Sequence, residues 1–250
     1  NNTFAKADLV PTNDLSDLNK YILVKLNKVA DVCLDAYDEY RFADVVSTLT
    51  NFMTNELSAY YLDYTKDILY ILNEDDPARR QVQTVLYLCL DVLTRLWAPI
   101  LCHTTEEIND FMHFDEESIH LSEFVKVDVD CDAGRLVHEM DQLLAVRKDV
   151  LKALEIARAN GLIKKSLEAS LKIRLNEETK RLFERIVPNA AQWLIVSKVE
   201  FVDGPLTPFE VCEIEVDKAK GHVCPRCWNY TESDHEDGLC DRCAAILEKE

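Results

Sequence analysis

Hydrophobic positions in the first hundred residues recur at intervals of three and four. Phe42, Val45, Val46, Leu49, Phe52, Met53, Leu57, Tyr60, Tyr61, Tyr64 and Ile68 form one continuous stripe, and Leu86, Leu90, Leu93 and Trp97 form a second. An amphipathic helix needs that period to bury a single face. An earlier helix is expected through Leu18, Ile22, Leu26 and Val29. Pro77 closes an Asn73-Glu74-Asp75-Asp76 turn and suits the first position of the next helix, which Pro99 ends or kinks. Thr104-Thr105-Glu106-Glu107 fits a capping box that starts a further short helix. Three or four helices with short connections predict a bundle whose aromatic residues pack in the core.

The pattern breaks between Asp110 and Asp132, an acidic connector with Lys126 as its one basic residue. Leu136 to Ala159 is helical again, and Leu171-Lys172-Ile173-Arg174-Leu175 alternates as a half-buried strand does. A short helix over Glu177 to Ile186 stops before Pro188. Strands are expected over Trp193 to Val202 and Val211 to Val216, separated by Gly204-Pro205. The expected architecture is mainly α. A helical bundle with its connector spans 1–132, a small α+β unit 133–220, and a cysteine-rich knuckle 221–250.

The nine cysteines divide into two kinds. Cys33, Cys89 and Cys102 lie on or beside apolar helical faces, Cys131 in the connector and Cys212 in a strand, where free thiols act as small hydrophobes. Cys224-Pro-Arg-Cys227 and Cys240-Asp-Arg-Cys243 are different. Two CxxC pairs supply four soft thiolates, each pair clasping one edge of a tetrahedral zinc. The alternatives are two disulfides or a redox pair. Five further unpaired cysteines argue for a reducing cytosol, and a redox motif would not come in duplicate. Four thiolates close the site, so the expected zinc is single and structural. His222 and His235 flank the cluster; His222 could replace a cysteine as ligand, but four cysteines already satisfy the metal, so a role outside the ligand set is expected. Trp228 follows Cys227, with Tyr230 two residues later. In so small a knuckle these rings either close a mini-core or stand exposed as a stacking platform.

Charge and glycine narrow the function. The net charge of −18 argues against indiscriminate coating of DNA, RNA or an anionic membrane. The longest apolar stretch, Val85 to Leu101, is interrupted by Asp91 and Arg95, so no membrane span is expected. The five glycines are all at or beyond Gly134, and no phosphate-cradling loop can be written from them. Residues 1–134 carry −15 and residues 199–250 carry −8, whereas residues 135–198 carry +5. The basic segment includes Lys164 and Lys165. Arg79 and Arg80 form a smaller basic island at a helix start, suited either to a phosphate or to pairing with Asp63, Asp67 or Glu74. The chain opens Asn-Asn-Thr-Phe, without Met or a signal peptide, as expected of a piece of something longer.

Several segments together resemble one family. FMTNELSAYYLDYTKDILY (Phe52–Tyr70), Arg79-Arg80-Gln81-Val82-Gln83-Thr84 and LWAPILCHTTEE (Leu96–Glu107) are similar to the helical domain that follows the catalytic core of isoleucyl-tRNA synthetases. VRKDVLKALEIARANGLIKKSLEA (Val146–Ala169) and GHVCPRCW (Gly221–Trp228), with Cys240 and Cys243, resemble the later parts of the bacterial-type enzyme in the same order. The resemblance covers nearly the whole chain and implies the anticodon-binding bundle and zinc knuckle of a class I synthetase that joins isoleucine to tRNA(Ile) using ATP. The HIGH and KMSKS signatures and the editing domain are absent, so ATP would bind only in a catalytic domain outside this sequence. By the family's pattern Trp228 contacts anticodon bases, while Arg79, Arg80, Lys164 and Lys165 are candidate tRNA contacts. A cytoplasmic monomer is expected. Two departures stand out. The loop between the cysteine pairs is a few residues short, and Lys164 replaces a glycine of the family's pattern, so either a changed turn or a gained phosphate contact is expected there. A free-standing zinc-stabilised RNA-binding module and an acidic protein-interaction scaffold are the rival readings.

Overall fold

The three-and-four spacing is realised as helices in the computed structural model, which describes residues 4–112, 114 and 116–248. In chain order come α1 (Asp17–Asp38), α2 (Phe42–Asn51), a π-helical segment (Phe52–Leu62), α3 (Asp63–Ile71), α4 (Pro77–Trp97) and α5 (Cys102–Met112). Two compact units result. The first holds the residues up to Asp63 together with Pro77–Ala133, and the second holds Tyr64–Asp76 together with the chain from Gly134 onward. Among the described residues no helix is long and apolar enough to cross a membrane.

In the first unit α1 packs against α2, the π segment and α4. Ile22, Leu23, Leu26, Val45, Leu49 and Val85 are fully enclosed. A buried polar group needs a partner. The Tyr61 hydroxyl accordingly donates to Asn19 Oδ1 at 2.6 Å, and Asn19 Nδ2 donates to Gln81 Oε1 at 3.0 Å. The acidic connector is held to α1 by the Asn27 amide, which accepts from the Val127 N–H at 2.9 Å and donates to the Val127 carbonyl at 2.7 Å.

Three expectations change here. Phe42, Val46 and Met53 of the supposed continuous stripe are exposed. Phe42 and Val46 lie in α2, whose buried residues are Val45 and Leu49, while Met53 lies in the π segment, where hydrogen bonding from i to i+5 takes about an extra residue per turn and a stripe drawn at the α period drifts off the core face. Thr104 does not cap α5, which already begins at Cys102. Instead the Thr105 hydroxyl donates back to the Leu101 carbonyl at 3.0 Å, and Glu106 accepts from the Ser118 hydroxyl and the Ile119 N–H at 3.1 Å each. Cys102 is exposed, whereas Cys33, Cys89 and Cys212 are buried thiols.

The second unit is built on α6 (Ala133–Ala159), followed by β1 (Ala169–Arg174), α7 (Glu177–Ile186), α8 (Ala190–Leu194), β2 (Lys198–Phe201), β3 (Thr207–Pro208) and β4 (Glu213–Lys218). The sheet order is β2-β1-β4-β3, with β1 parallel to β2 and antiparallel to β4. Leu171 and Ile173 are buried. The intervening residues turn outward, where Lys172 meets Glu215 at 2.7 Å and Arg174 meets Glu213 at 2.6 Å. Trp193 to Val196 is not strand. Asn189 accepts from the Gln192 N–H at 3.0 Å and caps α8, which ends at Ile195 in a left-handed conformation (φ 58°). Trp193 is buried edge-on against Phe183 at 5.5 Å. β4 starts two residues later than expected, because buried Asp149 takes the Val211 N–H at 2.8 Å and faces the Cys212 thiol at 3.5 Å.

Candidate metal centre and its aromatic knuckle

The knuckle is a two-stranded turn closed by a short helix. β5 (His222–Val223) pairs with β6 (Tyr230–Thr231), and α9 (Asp241–Leu247) follows. Between the strands, Cys224 donates its N–H to the Asn229 carbonyl at 2.9 Å and accepts at its own carbonyl from the Trp228 N–H at 2.9 Å. Gly221 sits at φ +88°, and a Cβ there would lie 1.9 Å from the Thr231 carbonyl oxygen, so only glycine lets the strands close.

This folding brings the Cys224, Cys227, Cys240 and Cys243 sulfurs within 4.8 Å of one another. Cys227 Sγ and Cys240 Sγ are 3.7 Å apart, and the Cys240 N–H points at Cys224 Sγ from 3.4 Å. A disulfide needs about 2.05 Å, whereas tetrahedral Zn–S bonds of about 2.3 Å place sulfurs roughly 3.8 Å apart. All four are free thiols, so the cluster could hold a metal ion. Burial pushes the Cys227 and Cys243 thiols up. At Cys224 burial acts in the same direction, but the N–H groups of Cys227, Cys240 and Arg226 outweigh it and bring the thiol down to about 6. His222 is spent elsewhere, its Nε2 on the Gly238 carbonyl at 3.0 Å.

The cluster has little core of its own. Cys224, Cys227, Leu239 and Cys243 pack with Ile71 of α3, and the Asn73 amide reaches the Ile246 carbonyl at 3.4 Å. Arg242, between two candidate ligands, forks onto Asp67 with both contacts at 2.7 Å, and Gln192 Nε2 adds a third at 2.5 Å. Burial alone would lower the Arg242 pKa, but the Asp67 carboxylate and the Cys227 sulfur hold it above the usual range. Asp67→Asn removes the charge of this fork while keeping its shape. It is expected to destabilise the second unit by about 2 kcal/mol, the scale of a charged hydrogen bond, in a denaturant melt. An unchanged midpoint would show the fork to be idle. Nothing in the sequence spacing joins Asp67 to Arg242; the acid was legible only as a possible neighbour of Arg79 and Arg80.

The remaining candidates are spread over both units. Trp228 stands 68% exposed at φ 64°, on the same loop as Cys224 and Cys227. Lys164 and Lys165 are exposed in the turn before β1. The Lys164 N–H donates to Glu168 Oε2 at 2.8 Å, and its φ is not positive, so this turn does not demand the glycine of the family's pattern. Arg79 and Arg80 lie in the first turn of α4, both half-buried. Arg80 donates to Gln83 Oε1 at 3.1 Å, lies 3.9 Å from Asp8, and covers the Phe4 ring at 6.0 Å. The basic segment offers fewer free cations than its count implies. Arg147 is buried on the Trp193 carbonyl, and Lys172 and Arg174 are paired across strands.

Residues 19–173 match the family model described as the anticodon-binding domain of tRNA ligase. The chain belongs to that family. This anticodon-binding chain is 40% identical over 250 residues to the isoleucine–tRNA ligase of Latilactobacillus sakei subsp. sakei, covering 96% of the chain and 27% of that protein. It is 41% identical over 227 residues to the isoleucine–tRNA ligase of Bacillus subtilis, covering 88% and 25%. Against that of Staphylococcus haemolyticus it is 39% identical over 248 residues, covering 96% and 27%. The anticodon-binding chain thus spans about a quarter of the length of these relatives. Its four-cysteine knuckle lies beyond the residues that the family model matches.

Proposed function

We propose that this chain is the tRNA-facing part of an isoleucine–tRNA ligase. It recognises the anticodon stem-loop of tRNA(Ile) while catalytic parts of the same ligase attach isoleucine using ATP. One zinc held by Cys224, Cys227, Cys240 and Cys243 fixes the knuckle and does no chemistry, since four thiolates leave no open position. The observation that carries the reading is Trp228, a large ring presented to solvent beside two candidate ligands. Unpaired loop bases are what such a ring stacks on. Lys164, Lys165, Arg79 and Arg80 supply phosphate contacts. The chain's net charge of −18 keeps non-specific affinity low, so recognition rests on few contacts.

The test is equilibrium binding of the 250-residue chain to a tRNA(Ile) transcript and to one whose anticodon loop is replaced. Loss of stacked bases, at about 1–3 kcal/mol each, is expected to weaken binding about tenfold or more. Equal affinity for both transcripts would remove the anticodon reading. Affinity independent of salt would favour the acidic protein-interaction scaffold.

A further inference from the structure

Each cysteine pair carries an arginine directly before its second cysteine, Arg226 between Cys224 and Cys227 and Arg242 between Cys240 and Cys243. A divalent ion held by four thiolates leaves about two negative charges in the cluster. Three of the four cysteines are buried, and charge out of water needs fixed opposite charge beside it. Arg242 is placed to supply it. Its guanidinium hydrogen-bonds the Cys227 sulfur. Two of its five N–H donors fork onto Asp67, Nη1 to Oδ2 and Nη2 to Oδ1, both at 2.7 Å.

The fork is itself held. Gln192 Nε2, from α8, donates to the same Asp67 Oδ2 at 2.5 Å. Asp67 rides on α3, and Ile71, four residues on and therefore on the same helix face, packs with Cys224, Cys227, Leu239 and Cys243. The Asn73 amide donates to the Ile246 carbonyl beyond them at 3.4 Å. All of these residues belong to the second unit. The Arg242 and Asp67 side chains are only 29% and 24% exposed, so salt screens their charges only in part.

We propose that Arg242 is the counter-charge of the four-thiolate centre and that Asp67, with Gln192, is the positioning residue that aims it, so that the docking of α3 and the binding of the metal favour each other. This role presupposes the zinc reading above and extends the centre to residues outside the knuckle. Arginine suits the task because one planar group serves a carboxylate and a sulfur at once, which the point charge of a lysine does not. Without Arg242, the Asp67 carboxylate would lie beside the thiolates with no cation between them. The coupling is reciprocal: whatever docked α3 adds to metal affinity, bound metal adds to the docking of α3.

The test is the zinc affinity of the 250-residue chain, by competition with a chromophoric chelator, together with amide hydrogen exchange with and without zinc. Arg242→Gln is expected to weaken zinc binding about 10–100-fold, the usual cost of removing a group that supports a metal ligand. Arg242→Lys keeps the charge without the fork and is expected to recover part of that loss. Asp67→Asn alone is expected to weaken binding severalfold. Added to Arg242→Gln it is expected to cause no further loss, because it acts through the arginine. In the parent, zinc is expected to slow exchange both in residues 64–76 and in the knuckle; in Arg242→Gln at saturating zinc, in the knuckle alone. If Arg242→Gln and Asp67→Asn shift the melting midpoint but bind zinc as tightly as the parent, while Cys224→Ser binds none, the fork is merely structural. The coupling is then overturned and the zinc reading stands. Fully additive losses in the double variant would overturn the positioning role of Asp67. A parent chain that binds no zinc overturns both readings.

Discussion

Cys224→Ser or Cys243→Ser is expected to abolish metal binding and to melt residues 221–248, while the sheet of β1 to β4 stays folded. The knuckle holds two two-residue strands and a seven-residue helix, and the apolar core around it is largely the cysteines themselves with Leu239 and Ile71. Elements so short are not stable alone. Structural zinc supplies an apparent 10–16 kcal/mol in comparable small sites, about the full stability of a domain. Replacing one thiolate by a hydroxyl forfeits most of that. Loss of the metal also leaves Cys224, Cys227 and Cys243 as buried thiols whose titrations are pushed apart rather than shared by a cation. The check is metal content per chain together with amide hydrogen exchange. The parent is expected to hold one zinc and to protect the knuckle amides, and each variant to do neither. Since the ligands must be thiolates, metal affinity is also expected to fall as the solution is acidified. A variant with a full metal complement, or with protected amides in 221–248, would refute the centre as described.

Trp228→Ala is expected to weaken tRNA(Ile) binding by between about fivefold and a hundredfold, the range of one lost base stack. Metal content and thermal stability should hardly move. That separation follows from the geometry. A ring closing a mini-core would be buried and its truncation would unfold the knuckle, but this ring is 68% exposed. The backbone adds a second handle. Trp228 is one of three non-glycine residues with positive φ among the described residues, a conformation costing an L-residue about 1–2 kcal/mol. Trp228→Gly therefore relieves strain while removing the ring, so it is expected to preserve or raise stability and still lose affinity. Trp228→Phe should retain most of the binding. Calorimetric melts beside the titrations decide the matter. If affinity and stability fall together in the Ala and Gly variants, the ring is structural.

The helices were legible because their signal is local. Pro77 opens α4, Pro99 follows its end at Trp97, and the alternating run at Leu171 is β1. The four-cysteine cluster was legible for a related reason: CxxC spacing brings two thiols together within one turn, whatever surrounds them. The errors came where an apolar run carries two meanings. Trp193 to Val196 reads as a buried strand or a buried helix, and the Asn189 cap decided for helix. The Phe42–Ile68 stripe assumed one period, which the π segment breaks.

By itself, then, the sequence determined the helical and strand periods, the four sulfur donors, and the presence of an aromatic residue next to one of them. Each is a matter of neighbours along the chain. Only the tertiary structure decided that Trp228 faces solvent and that Asp67 grips Arg242 across 175 positions. Those outcomes depend on which surfaces pack together, and burial and charge pairing act between groups that the chain keeps far apart. The bulk charge of −18 illustrates the same division: composition sets its size, but folding decides which lysines are spent on neighbouring acids and which stay exposed.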